Sequence, residues 1–163
     1  MEGMFHNCYS LKYLNLGNFN AQNVISFSDT FFNCKSLTSL ILPFYKDFEA
    51  AKLTSTSFMF YNCANLTYIN FDRLNLTNVK YMNSMFKSCT SLKELIIACY
   101  NISGYRRILT TLISHNSIKY DLNPKSVINL EKDFYGCTSL ISLDISNWNL
   151  GNVNNMKNTF AYC

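Results

Sequence analysis

Six cysteines, Cys8, Cys34, Cys63, Cys89, Cys137 and Cys163, divide this chain at intervals of 26, 29, 26, 48 and 26 residues. Each of the first five opens the same phrase: CYSLKYLNL, CKSLTSLIL, CANLTYINF, CTSLKELII and CTSLISLDI. The apolar positions inside it keep phase, as Leu11, Leu14 and Leu16, then Leu37, Leu40 and Leu42, then Leu66, Ile69 and Phe71. They return as Leu92, Leu95 and Ile97, and as Leu140, Leu143 and Ile145. A phase held over five units means one structural unit used repeatedly. Such a unit cannot bury its apolar side alone, but stacked units can.

The last two apolar positions of each phrase alternate, which predicts a short strand with one inward face. A second apolar set precedes the cysteine: Val24, Phe27 and Phe31, then Val79, Met82 and Phe86, then Val153, Met156 and Phe160. Its spacing fits one stripe of a helix or 3₁₀ segment. Asn23, Asn78 and Asn152 stand before the valines as helix caps would. The expected unit is strand, turn and helical return.

The 48-residue interval admits two readings, an insertion or a worn repeat without its cysteine, at about residues 100–123. Ile108, Leu109, Leu112 and Ile113 have helical spacing, and Ile118, Tyr120 and Leu122 alternate. Counting that strand, the strand ends Leu16, Leu42, Phe71, Ile97, Leu122 and Ile145 are 26, 29, 26, 25 and 23 residues apart. The evenness favours the worn repeat, since long structureless excursions are uncommon in compact domains. Met1 falls where the repeat has methionine, and Cys163 where it has cysteine. Neither end has a polar cap, so residues 1–163 are expected to be a single domain cut from a longer array.

Composition narrows the function. Charged residues are 15% of the chain, below the roughly 25% of an average soluble domain. Polarity comes largely from the 22 Asn and from Ser and Thr, residues suited to turns. A net charge of +4, dispersed along the chain, does not point to nucleic acid. No apolar run reaches the ~18 residues of a membrane span, and Met1-Glu2-Gly3 leads straight into a repeat without a signal-peptide pattern.

No constellation for catalysis or metal binding is present. There is no C-x-x-C pair, and His6 and His115 do not stand at ligand spacing from cysteines. Cysteines in adjacent coils should lie about 4.8 Å apart with parallel Cβ vectors, which disfavours bridging and predicts a ladder of reduced, buried thiols. Cys99 falls outside that ladder as the candidate exposed thiol. His115, near Ser114 and Ser117, lacks an orienting group and reads as a surface or structural histidine. The five glycines form no phosphate loop. Sequons at Asn65, Asn75 and Asn101 are expected by chance in an Asn-rich chain, and Arg106-Arg107 reads as a solvated helix face. No cofactor, metal or catalytic residue is therefore expected.

Written out, the unit is MF-x-x-C-x-SL-x-x-L-x-L followed by N-x-x-NV-x-x-M, intact in MFKSCTSLKEL and NLTNVKYMNSMF. It resembles the BspA-like leucine-rich repeats of bacterial surface proteins and lipoproteins, over nearly the whole chain apart from about residues 100–123. The family's usual Asp at the turn is Asn here, at Asn20, Asn75 and Asn149. The resemblance implies an α/β fold: a right-handed leucine-rich-repeat solenoid of about six coils. One parallel sheet would form one face and helical or 3₁₀ returns the other. It also implies an extracellular or cell-surface location, a host or matrix protein as partner, and no catalytic residues.

Two functions remain, a protein-binding or adhesion module and an architectural spacer displaying another domain. The outward strand positions decide between them. They are Tyr13 and Asn15, Ser39 and Ile41, Tyr68 and Asn70, Glu94 and Ile96, Ser142 and Asp144. Exposed tyrosine and isoleucine exceed what a spacer requires and suit a protein interface. The candidate site is therefore Tyr13, Asn15, Ile41, Tyr68, Asn70, Glu94, Ile96 and Asp144.

Overall fold

The computed structural model describes residues 1–42, 52–71, 76, 78–97, 117–120, 126–140, 142–144 and 149–163. Each repeat phrase places a strand: β1 (Tyr13–Asn15), β2 (Ser39–Ile41), β3 (Tyr68–Asn70), β4 (Glu94–Ile97) and β6 (Ser142–Asp144). A further strand, β5 (Ser117–Tyr120), comes from the long interval. All pairings are parallel, β1 with β2 and then β3-β4-β5-β6 in sequence order. Consecutive order with parallel pairing means that the chain returns to the same edge after every strand, so the fold is a solenoid.

Among the described residues the returns are neither the helix nor the 3₁₀ segment expected from the spacing. They are runs of turns joined coil to coil by a second set of parallel bridges. Backbone donors alternate in their use. In the second coil Thr30, Phe32 and Cys34 donate to the carbonyls three residues back, Phe27, Asp29 and Phe31. The residues between them, Asp29, Phe31 and Asn33, donate instead to Ser57, Met59 and Tyr61 of the next coil, at 3.0, 2.9 and 2.8 Å. A helix would keep every N–H inside the segment. Here half of them knit neighbouring coils together.

This pattern needs two left-handed residues per return, four apart, and they recur as Gly3 and Asn7, Asp29 and Asn33, Phe58 and Asn62. Ser84 and Ser88, Lys132 and Gly136, and Asn158 and Tyr162 continue the series. Asn and Gly tolerate this region best, which accounts structurally for part of the Asn content. Asn20 and Asn149, the turn positions, accept from the backbone N–H two residues on, at 3.1 and 3.2 Å. Asn23 caps no helix; its Oδ1 accepts from Lys52 Nζ at 2.9 Å.

The core lies between sheet and returns. One phenylalanine per coil forms an internal stack, Phe5, Phe31, Phe60, Phe86, Phe134 and Phe160, with centroid spacings of 5.3 to 5.8 Å. Ile69 and Leu95 are fully buried in the strand column, whereas the inward-facing Leu14 and Leu40 are only half-buried. β1 and β2 form a two-stranded sheet apart from the other four, so each of these leucines has a laddered neighbour on one side only. Phe160 and Met156 are likewise partly exposed.

Across the long interval the two sides of the solenoid behave differently. On the sheet side β5 lies between β4 and β6. On the return side Tyr81 bridges Asn129 directly, and Phe86 and Ser88 donate to Asp133 and Tyr135. The interval thus adds a strand to the sheet while the returns before and after it stack on one another. Residues 98–116, including Cys99, Arg106, Arg107, Ser114 and His115, lie outside the described residues.

Candidate functional site

Register brings the expected surface residues into two rows across the strands. Tyr13 pairs with Ser39, Tyr68 with Glu94, and Ser117 with Ser142 in the first row. Asn15 pairs with Ile41, Asn70 with Ile96, Ile96 with Lys119, and Lys119 with Asp144 in the second. Alternation puts Leu14, Leu40, Ile69 and Leu95 on the core side and Tyr13, Asn15, Ser39, Ile41, Tyr68 and Asn70 on the other. Tyr13, Ile41 and Tyr68 are 55%, 46% and 41% exposed, large for apolar surface on one face. Asn15 and Asn70 are exposed as well. Asn15 Oδ1 accepts from Gly17 N–H at 2.7 Å, so this side chain also fixes the turn that leaves β1. Glu94, Ile96 and Asp144 hold their register positions in β4 and β6, and their side chains lie outside what is described. Ser117 and Lys119 were not among the expected site residues, because their strand sits in the interval whose reading was open.

The thiols form the other column. Cys34, Cys63, Cys89 and Cys137 are buried, Cys8 is half-buried and Cys163 exposed, all unbridged. Each buried Sγ–H donates to the phenylalanine carbonyl of the preceding coil: Cys34 to Phe5 and Cys63 to Phe31 at 3.1 Å, Cys89 to Phe60 at 3.0 Å, Cys137 to Phe86 at 3.3 Å. Burial pushes the Cys34 thiol up to about 11 and the thiols of Cys63, Cys89 and Cys137 higher still. A nucleophilic cysteine needs its thiolate favoured, and these surroundings do the reverse. Among the described residues no three His, Cys, Asp or Glu side chains gather as a metal site, and no helix is long and apolar enough to cross a membrane.

Two features escaped the sequence reading. The residue two before each ladder cysteine, His6, Phe32, Tyr61, Lys87 or Tyr135, joins an external stack along the solenoid. Its signal was there in the constant offset, hidden by mixed chemistry. The second feature is Asp133, completely buried at the position occupied by Met4, Thr30, Met59, Met85 and Thr159 in other returns. Its Oδ1 accepts from Met85 N–H at 2.8 Å, while Oδ2 is buried without a hydrogen-bond partner. Desolvation raises its pKa well above the ordinary carboxylate value.

Comparison with known proteins gives a family. The sequence profile of a family described as "Mycoplasma protein of unknown function, DUF285" matches residues 1–123 and 103–163. No curated protein matches the chain. Among solved structures, the crystal structure of the T. pallidum leucine rich repeat protein is similar, at 21% identity and a TM-score of 0.47. That alignment covers 87% of this chain and 60% of the other, so the chain spans less than two thirds of that protein's length.

Proposed function

The chain belongs to this Mycoplasma family of unknown function, and we propose that its role is non-enzymatic binding of a protein through the open face of the sheet. The carrying observation is the exposure of Tyr13, Ile41 and Tyr68 on strands whose alternate residues form the core. Tyrosine gives a large contact area with two side-chain torsions to freeze, which favours it at interfaces. Short strands on a rigid coil also hold the rows in fixed geometry before binding, which lowers the ordering cost. The burial that raises the ladder thiols argues against a cysteine nucleophile at those positions. The BspA-like motif supports a cell-surface or secreted setting and adhesion to host or matrix protein.

The test is binding of the purified chain to immobilised matrix proteins such as collagen and laminin, alongside the double variant Ile41→Ala/Tyr68→Ala. We expect the variant to lose binding while its melting curve stays within the small change usual for surface substitutions, about 0.5 kcal/mol. Equal binding by both proteins would refute the sheet-face site. Failure of the parent to bind any of them would favour a spacer that displays another domain.

A further inference from the structure

The edge where each return bends into its strand has a chemistry unlike the sheet face. Residues 5–12, 31–38, 60–67, 86–93 and 134–141 contain no Asp or Glu, against Lys12, Lys35, Lys87, Lys93 and His6. The aromatic residues between them are stacked. The His6 and Phe32 rings lie 4.6 Å apart and within 5° of parallel, and Phe32 and Tyr61 4.4 Å apart and within 2°. Lys87 Nζ then sits between two rings, 5.1 Å from the Tyr61 centroid and 5.3 Å from that of Tyr135. Tyr135 meets Tyr162 edge-on at 5.1 Å. Beside this column Lys35 Nζ stands 5.7 Å over the exposed Tyr9 ring.

This arrangement selects its ligand. Phe32 and Tyr61 have both faces covered, so they offer no flat platform for a nucleobase or a sugar ring. Both rings are half-buried with their faces stacked, so what they leave to solvent is edge, and ring C–H edges carry the positive end of the aromatic quadrupole. Ammonium groups and ring edges together make a positive stripe whose own residues include no carboxylate, with Asp29 within electrostatic reach of His6 at one end. Its charge is sparse. Lys12, Lys35 and the pair Lys87 and Lys93 fall on the first, second and fourth coils, which averages to roughly one charge per 4.8 Å of axis over the four coils spanned. An extended peptide with an acid at every second residue presents one charge per ~6.6 Å, close to that density. Duplex DNA presents one per ~1.7 Å, most of which this stripe would leave unneutralised.

We propose that this return-to-strand edge, carried by Lys35, Lys87 and Lys93 and the stacked Phe32, Tyr61 and Tyr135, is a second docking surface whose occupant is an extended acidic polypeptide segment. It is independent of the sheet face, and each can fail without the other.

The experiment is fluorescence anisotropy of a labelled peptide of alternating Glu and Ser with the purified chain at low ionic strength. Unlabelled single-stranded DNA and heparin serve as competitors. Binding is expected, weakening as salt is raised. Lys35→Glu with Lys87→Glu should weaken it roughly tenfold or more. Lys80→Glu with Lys157→Glu, two exposed side chains outside that edge, changes net charge equally and should leave affinity within about twofold. If the first pair alters the melting curve, Lys35→Glu with Lys93→Glu, two exposed side chains, replaces it. The proposal is overturned by no binding at low salt, by equal losses in the two control and test pairs, or by DNA or heparin binding more tightly than the peptide. The Ile41→Ala/Tyr68→Ala variant should bind the peptide as the parent does; its loss would place the peptide on the sheet face and overturn the edge.

Discussion

Replacing Asp133 with Thr should make the protein more stable, and more so as pH rises. Asp133 is fully buried, and its Oδ2 is an acceptor with nothing to accept from. An unsatisfied buried polar atom costs about 1–3 kcal/mol, and more when charged. Thr already occupies the equivalent position in two other coils. There Thr30 Oγ1 donates to the carbonyls of Phe27 and Met1 at 2.7 and 2.9 Å. Thr159 Oγ1 likewise donates to Met156 and Leu130 at 2.8 and 2.9 Å. By the same geometry Thr at 133 would donate to Leu130 and Met82. The substitution forfeits the bond from Met85 N–H to Oδ1, but that N–H also donates to Met82 at 3.1 Å, so it is not orphaned. The balance is a gain of about 1–2 kcal/mol at neutral pH.

The sign of the pH effect follows from the raised folded-state pKa. The folded state holds the Asp133 proton more tightly than the unfolded state does. Stability from this group is therefore complete below the ordinary carboxylate range, about pH 4, and declines as pH rises from there toward the folded pKa. The thiols of Cys89 and Cys137 lie within electrostatic reach of Asp133. They are common to both proteins and titrate far higher, so the difference between variant and parent isolates the carboxyl. Urea melts of both at pH 5 and pH 8 would measure it, with the gap wider at pH 8. A Thr variant less stable than the parent at pH 8, or a gap independent of pH, would refute the reasoning.

Two further outcomes follow from the packing. Leu95→Ala, at a fully buried strand position, should cost roughly 2–5 kcal/mol in denaturant melts, and a loss below about 1 kcal/mol would contradict its burial. In thiol titration of the native protein at mildly alkaline pH, Cys8 and Cys163 should react while Cys34, Cys63, Cys89 and Cys137 stay protected until denaturant is added. Rapid labelling of Cys34, Cys63, Cys89 and Cys137 in the native protein would show that the coils open easily.

Much of the solenoid could be read from spacing, because burial repeats at the same phase in every coil. Leu37, Leu66 and Leu92 share one environment, as do Cys34, Cys63 and Cys89, and a repeated environment selects a repeated residue. The returns were misread for a related reason. Phe27 and Phe31, or Met82 and Phe86, are four apart, a spacing a helix satisfies. A run of turns with left-handed residues four apart buries the same positions. Apolar spacing records which residues face inward, not where each N–H finds its acceptor. The distinguishing clue was Asn. Asn7, Asn33 and Asn62 each precede a cysteine, and that position is left-handed in every coil. A helix there would not select Asn, a poor helix former, whereas a left-handed residue would.

The functional surfaces divide along the same physical line. Core positions repeat because every coil must bury the same volume, so the sequence announces them. The outward rows carry Tyr13, Ser39 and Tyr68 in succession, and the external stack runs His6, Phe32, Tyr61, Lys87. Neither series repeats a residue type coil by coil. In a solenoid whose neighbouring coils impose identical backbone geometry, side chains that differ at equivalent exposed positions are free of the packing constraint that fixes the core. The sheet rows could be found from period-two alternation, which separates inside from outside without reference to residue type. The return edge was harder to find: its constant offset before the cysteine is carried by mixed residue types, and its stacking follows from a hydrogen-bond pattern that alternates N–H groups between the coil itself and its neighbour. That alternation is also what sets successive rings of the stack 4.4 to 4.6 Å apart, close to one coil spacing, and covers their faces. The backbone pattern that spacing concealed is thus the one that stacks the rings coil on coil, and the proposed preference of the edge for acidic chains over bases or sugars rests on it.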